Sequence, residues 1–97
     1  MKSILQDEKE CYICHTTQGL HLHHIFFGTA NRKLSDRDGC TVWLCQYHHT
    51  GDHGVHFNRE KDLQLKKECQ KAWMLKYNKT ESDFIARYGR NYYNASE

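Results

Sequence analysis

The sequence contains no proline, so no proline-rich linker divides it, and no low-complexity segment or internal repeat is visible. It has no long hydrophobic run of the kind that spans a membrane. The N-terminus, MKSILQDEKE, lacks the apolar centre of a signal peptide and is charged by residue 7. The expectation is a cytoplasmic protein with no membrane partner. Charge of one sign is also scarce: 14 Lys and Arg against 12 Asp and Glu leave +2. Residues 1–57 carry five basic and six acidic side chains, and residues 58–97 nine and six, so the mild excess lies in the tail. That tail fits either contact with a polyanion or an ordinary solvated helix face.

A chain of 97 residues is expected to form one domain, 1–97, with a modest core that benefits from a staple. The staples are abundant. There are five Cys and eight His; all the His lie between His15 and His56, and four of the Cys between Cys11 and Cys45. From Phe57 on there is only Cys69. The front half therefore reads as a ligand-rich site and the back half as helical support.

In the front half, LHLHHIFF reads as one strand and CTVWLC as a second, both rich in β-branched and aromatic residues. The polar stretch between them, GTANRKLSDRDG, reads as a loop bounded by Gly28 and Gly39. QYHHTGDHGVH follows; its start suits a helical turn, and Gly51 and Gly54 then argue for irregular backbone. In the back half, Asn58 can cap a helix running to about Tyr77, with Leu65, Cys69, Ala72, Trp73 and Tyr77 on its buried stripe. TESD supplies a second start, with Thr80 as N-cap and Asp83 completing a capping box. That helix holds Phe84, Ile85 and Tyr88 and stops at Gly89.

Cys11-x-x-Cys14 and Cys45-x-x-His48 are two knuckles of identical spacing. Two residues between ligands let both side chains of a pair reach one centre, and four S and N donors suit tetrahedral Zn²⁺. A reducing compartment favours metal over disulfides. Thirty residues separate Cys14 from Cys45, so such a zinc would clamp the base of a hairpin. Cys69 fits a core position, and Cys40 has no place in this scheme. After His48 is assigned, His15 and His21 read as solvated or structural. His23, His24, His49, His53 and His56 remain, and the clamp would bring their two segments together. Adjacent strand residues point to opposite sides. One of His23 and His24 can therefore hold an ion while the other faces a substrate. A neutral imidazole suits proton abstraction from water near pH 7, and a divalent ion stabilises the charge that develops in phosphodiester hydrolysis.

Taken together, Cys11/Cys14, His23-His24-Ile25 and LCQYHH from Leu44 to His49 resemble the HNH endonucleases. The run from His23 to Asn58 is also similar to small phage-type HNH proteins, including those related to recombination-enhancement nucleases. The resemblance covers residues 11–56 and implies an α+β fold. This would be a small ββα-metal (His-Me finger) domain with a structural zinc site, followed by C-terminal helices over 57–97. It implies His24 as general base, and His23 and His49 as ligands of a catalytic Mg²⁺, Mn²⁺ or other divalent ion. His53 or His56 would be the further ligand, with His56 ahead because TGDHG interrupts a helix. Two departures stand out. His48 takes a position where the family usually has Cys. The family's middle Asn falls at Cys40, which leaves Asn31 as the candidate for fixing the loop.

Arg32, Lys33 and Arg37 lie between the strands as candidate phosphate contacts, with Arg59, Lys61, Arg87 and Arg90 as secondary ones. No base-reading motif stands out, so weak sequence preference is expected. The leading expectation is a metal-dependent endonuclease acting on DNA, located in the host cytoplasm if phage-encoded. A homodimer, or recombination or packaging proteins as partners, would suit a chain this small, although no residue points to either. The competing expectations are a non-catalytic zinc module that binds DNA or protein, and a disulfide-stapled secreted protein.

Overall fold

The computed structural model describes residues 2–51 and 54–93. Two strands, β1 (Leu20–His24) and β2 (Thr41–Cys45), pair antiparallel with His21 opposite Leu44 and His23 opposite Val42. Helix α1 (Thr29–Asp38) connects them. A single turn, α2 (Gln46–His49), follows β2 directly, and α3 (Arg59–Tyr77) and α4 (Glu81–Tyr88) complete an α+β domain. The open edge of β2 is covered by the N-terminal segment. Trp43 N donates to Gln6 Oε1 at 2.8 Å, and Tyr12 N donates to Trp43 O at 2.8 Å. These bonds satisfy backbone groups that an edge strand would otherwise expose. No helix among the described residues is long and apolar enough to cross a membrane.

The back half follows its local signals. The Asn58 side chain accepts from Lys61 N at the start of α3. Thr80 and Asp83 form the reciprocal capping box of α4, which ends at Gly89 with φ +85°. Leu65, Cys69 and Trp73 are buried on α3, while Ala72 and Tyr77 are only half-buried. Ile85 of α4 stays exposed.

The front half departs from the expectations in two places. GTANRKLSDRDG is not a loop: ten of its residues form α1, closed by Gly39 at φ +78°. The helix has no apolar stripe to betray it, because its buried residues are Ser35 and Asp38. Polar contacts hold it instead. The first strand also ends at His24, short of Ile25–Phe27. There the chain turns inward. Ile25 and Phe26 are fully buried, and Phe26 packs on Phe84, Tyr88 and Tyr92 with ring centroids 4.6–5.5 Å apart. Ser35 Oγ fixes that turn. It accepts from Phe26 N at 3.2 Å and donates to Phe26 O at 2.7 Å.

Asp38 is the polar hub of the core. Its carboxylate accepts from Trp73 Nε1 at 2.9 Å, from Tyr88 Oη at 2.7 Å, and from Arg87 through Nε and Nη2 at 2.6 and 2.7 Å. Arg87, a candidate phosphate contact by sequence, is thus committed to an internal pair. Burial raises the Asp38 carboxyl, but the bonds from Arg87, Tyr88 and Trp73 outweigh it and hold the group below its ordinary value. Asp38→Asn would leave the guanidinium without its partner, at a cost of about 3 kcal/mol. The expected result is a fall in Tm of about 12–24 °C at pH 7. The unfolded chain binds the proton more readily than the folded one. The carboxylate's contribution is therefore complete above the ordinary carboxyl pKa and lost as pH falls through the folded value. Thermal melts at pH 7 and pH 3 should show the gap between wild type and Asp38→Asn narrowing at the lower pH.

Candidate metal centres and the groove beside them

The first centre joins three segments distant in sequence. Cys11 and Cys14 come from the turn docked on β2, Cys45 from the end of β2, and His48 from α2. Their donor atoms all lie within 4.8 Å of one another. Cys14 Sγ and Cys45 Sγ are 3.7 Å apart, and His48 Nδ1 lies 3.3 Å from Cys45 Sγ and 3.7 Å from Cys11 Sγ. A zinc tetrahedron built from ordinary bond lengths has edges of about 3.8 Å between sulfurs and about 3.6 Å between sulfur and nitrogen. The group fits that figure, and its sulfurs are too far apart for a disulfide. Burial pushes the Cys11 thiol up, but backbone N–H groups of Cys14, Cys45 and Ile13 outweigh it and hold the thiol down at about 6. The local backbone thus favours thiolate, the form that binds metal. These four side chains could hold a metal ion such as zinc. Cys40 and Cys69 are both buried in the core; the Cys69 thiol is pushed up by its contact with Cys40 and by burial, so it stays protonated.

The second group is His23, His49 and His56, with donor atoms again within 4.8 Å. His23 is buried, and its Nε2 has no hydrogen-bond partner. Its ring centroid is 5.1 Å from those of both His49 and His56. Burial, with the neighbouring His49 and His56 rings, pushes His23 down to about 3, so it is neutral at physiological pH. His49 Nε2 and His56 Nε2 face each other at 3.1 Å. Lone pairs converging in this way, with one donor orphaned and buried, are costly unless a cation or proton lies between them. This group too could hold a metal ion. The return of His56 depends on Gly54, since a Cβ there would collide with the His49 carbonyl oxygen. His53, the competing ligand by sequence, lies outside the described residues.

His24 belongs to neither group. With Leu22 it lines a groove against α1, where Thr29, Arg32, Lys33 and Asp36 form the other wall. His24 Nε2 lies 3.2 Å from Asp36 Oδ1. With the Nε2 proton donated to that carboxylate, Nδ1 is the nitrogen able to accept another proton. Arg32 and Lys33 thus stand in the same groove as His24, while Arg37 is not part of the lining. Asn31, the candidate for fixing the loop between the strands, stands in α1, and its Nδ2 donates to Tyr88 O at 3.1 Å, tying α1 to the end of α4. Ser35 holds the Phe26 turn, and no sequence pattern marked it.

His21, read from sequence as a bystander, stands on the same face of β1 as His23. Its Nδ1 lies 3.1 Å from His49 Nδ1. The period-two alternation of a strand was the signal that could have found it. No protein-family model matches the chain, and comparisons with curated proteins and with solved structures found no match.

Proposed function

We propose that this chain is a metal-dependent endonuclease of the HNH, ββα-metal type that hydrolyses DNA phosphodiester bonds. In this reading Cys11, Cys14, Cys45 and His48 hold a structural zinc, and His23, His49 and His56 hold the catalytic ion. The observation that carries it is the orphaned, buried Nε2 of His23 converging with two further imidazoles. A zinc module without catalysis has no use for that group. The adjacent His24, with its accepting nitrogen beside two basic side chains, is a second feature that such a module does not need.

DNA would lie in the groove with its phosphates against Arg32 and Lys33. His24 Nδ1 takes a proton from water as the water oxygen bonds to phosphorus. The bond from phosphorus to the 3′-oxygen breaks and the leaving oxygen takes a proton from solvent, giving a 5′-phosphate and a 3′-hydroxyl. An ion on the three imidazoles would supply positive charge to the phosphate and to the leaving oxygen. Asp36 holds the imidazole in place and, by accepting a hydrogen bond from Nε2–H, selects its tautomer. Among the described residues the group has three imidazoles and no carboxylate, which suits Ni²⁺ or Zn²⁺ better than Mg²⁺ or Mn²⁺.

The test is cleavage of supercoiled plasmid by the zinc-loaded protein with each of these four ions in turn. Nicking is expected with Ni²⁺ and Zn²⁺ and weaker nicking with Mg²⁺ and Mn²⁺, and His23→Ala should abolish it together with ion binding at the second group. Protein that shifts DNA on a gel but cuts it with none of the ions would overturn the reading in favour of a binding module.

A further inference from the structure

We propose that His21 is a positioning residue for the second centre, holding His49 in the tautomer that presents Nε2 to an ion. This inference rests on the reading that His23, His49 and His56 hold a metal. Strand alternation places His21 and His23 on one face of β1, opposite Leu44 and Val42 of β2. Because α2 begins directly after β2, His49 comes over that face. Its ring then has an imidazole partner at each nitrogen: His21 Nδ1 at 3.1 Å from Nδ1, and His56 Nε2 at 3.1 Å from Nε2. A neutral imidazole carries one ring proton. For Nε2 to ligate, that proton must sit on Nδ1, where it needs an acceptor. His21 Nδ1 is the acceptor at hydrogen-bond distance, and the two rings meet edge to face at 77°. Metal-binding histidines ordinarily donate their second N–H to a carboxylate, a carbonyl or water, and loss of that partner weakens metal affinity by 10–100-fold. His21 fills the same role with a bare ring nitrogen. Because His21 is exposed, water can partly replace it, and the expected loss lies near the lower end, about 10-fold.

The experiment titrates Co²⁺ into the zinc-loaded chain and follows the visible d–d bands. Sulfur-to-cobalt charge transfer would reveal any exchange at the four-ligand centre. Wild type, His21→Ala, His21→Asn and His23→Ala are compared. Wild type should bind one Co²⁺ beyond its zinc, and His23→Ala should lose it. His21→Ala should bind it about 10-fold more weakly with an unchanged band shape, Tm and zinc content. His21→Asn, whose Oδ1 occupies the place of Nδ1, should recover most of the loss. Equal affinity in His21→Ala and wild type would overturn the role of His21 while leaving the ion site standing. Equal loss in both His21 variants would also overturn it, since the ring and not its acceptor would then matter. A band shape altered in His21→Ala would make His21 a direct ligand, against the proposal. No Co²⁺ bound beyond the zinc in wild type would end both this inference and the reading beneath it.

Discussion

His24→Ala is expected to slow DNA cleavage by about 10²–10⁴-fold, the usual contribution of a positioned general base, while both centres keep their metal. The separation of effects follows from the geometry. His24 shares a strand with His23 but lies in the groove with Arg32, Lys33 and Asp36, outside both groups of metal donors. Removing its ring takes away the proton acceptor and leaves every donor atom of the two centres in place. His23→Ala, by contrast, should lose the ion and the activity together. Single-turnover nicking of plasmid, with metal content measured on the same samples, distinguishes the two variants. Cleavage by His24→Ala at the wild-type rate would remove this residue from the chemistry. Loss of metal in the same variant would mean that its effect is not that of a base.

The elements that announced themselves in the sequence are those whose burial is apolar or whose ends are capped by side chains. Asn58, Thr80, Asp83 and Gly89 marked the helices of the back half because capping is local chemistry, settled within four residues. Leu65, Cys69 and Trp73 showed the buried stripe because their spacing is helical. Helix α1 escaped because it is anchored by Ser35 and Asp38. A helix that buries a hydroxyl and a carboxylate looks, by composition, like a solvated loop. Its real determinants are partners far along the chain: Phe26 for Ser35, and Trp73, Arg87 and Tyr88 for Asp38. Ile25–Phe27 misled in the opposite sense. Ile25 and Phe26 are apolar because they are buried, Phe26 against Phe84 and Tyr88 of α4, while Phe27 is exposed, and the chain turns there because Ser35 captures the Phe26 backbone.

The two donor groups differed in the same way. The two-residue spacing of each knuckle is a local signal, and the structure brings all four donors together. His49 and His56 are seven positions apart, and their meeting depends on the close approach of Gly54 to the His49 carbonyl. A sequence shows that such an approach is permitted, but not that it occurs. The paired imidazoles of His21 and His49 needed the register of the sheet as well as alternation, since only the pairing with β2 puts α2 over that face.

Removing zinc from the first centre is expected to lower the Tm by about 15–30 °C. An ion present at a thousand times its dissociation constant stabilises the folded state by about 4 kcal/mol, and each kcal/mol moves the midpoint of a domain this size by about 4–8 °C. Against a total stability of about 5–15 kcal/mol for a chain of this length, such an ion would be a principal term. The four donors are the reason. They bring the Cys11–Cys14 turn, the end of β2 and α2 to one point; among the described residues the turn's backbone bond to β2 is Tyr12 N to Trp43 O, while Cys11 N to Thr16 O and His15 N to Cys11 O lie within the turn itself. Thermal melts with and without a strong chelator, together with zinc content for Cys45→Ala and Cys69→Ala, check the assignment. Cys45→Ala should lose zinc and melt like the chelated protein. Cys69→Ala should lose core packing yet keep one zinc per chain. A full equivalent of zinc in Cys45→Ala would reject the four-donor set. The consequence should also reach the second centre, because His48 and His49 are neighbours in α2. Once the first ion is gone, the turn that aims His49 at His23 and His56 has lost its anchor. Chelated protein should then bind Co²⁺ at the imidazole group more weakly than zinc-loaded protein, although none of the three imidazoles has been changed.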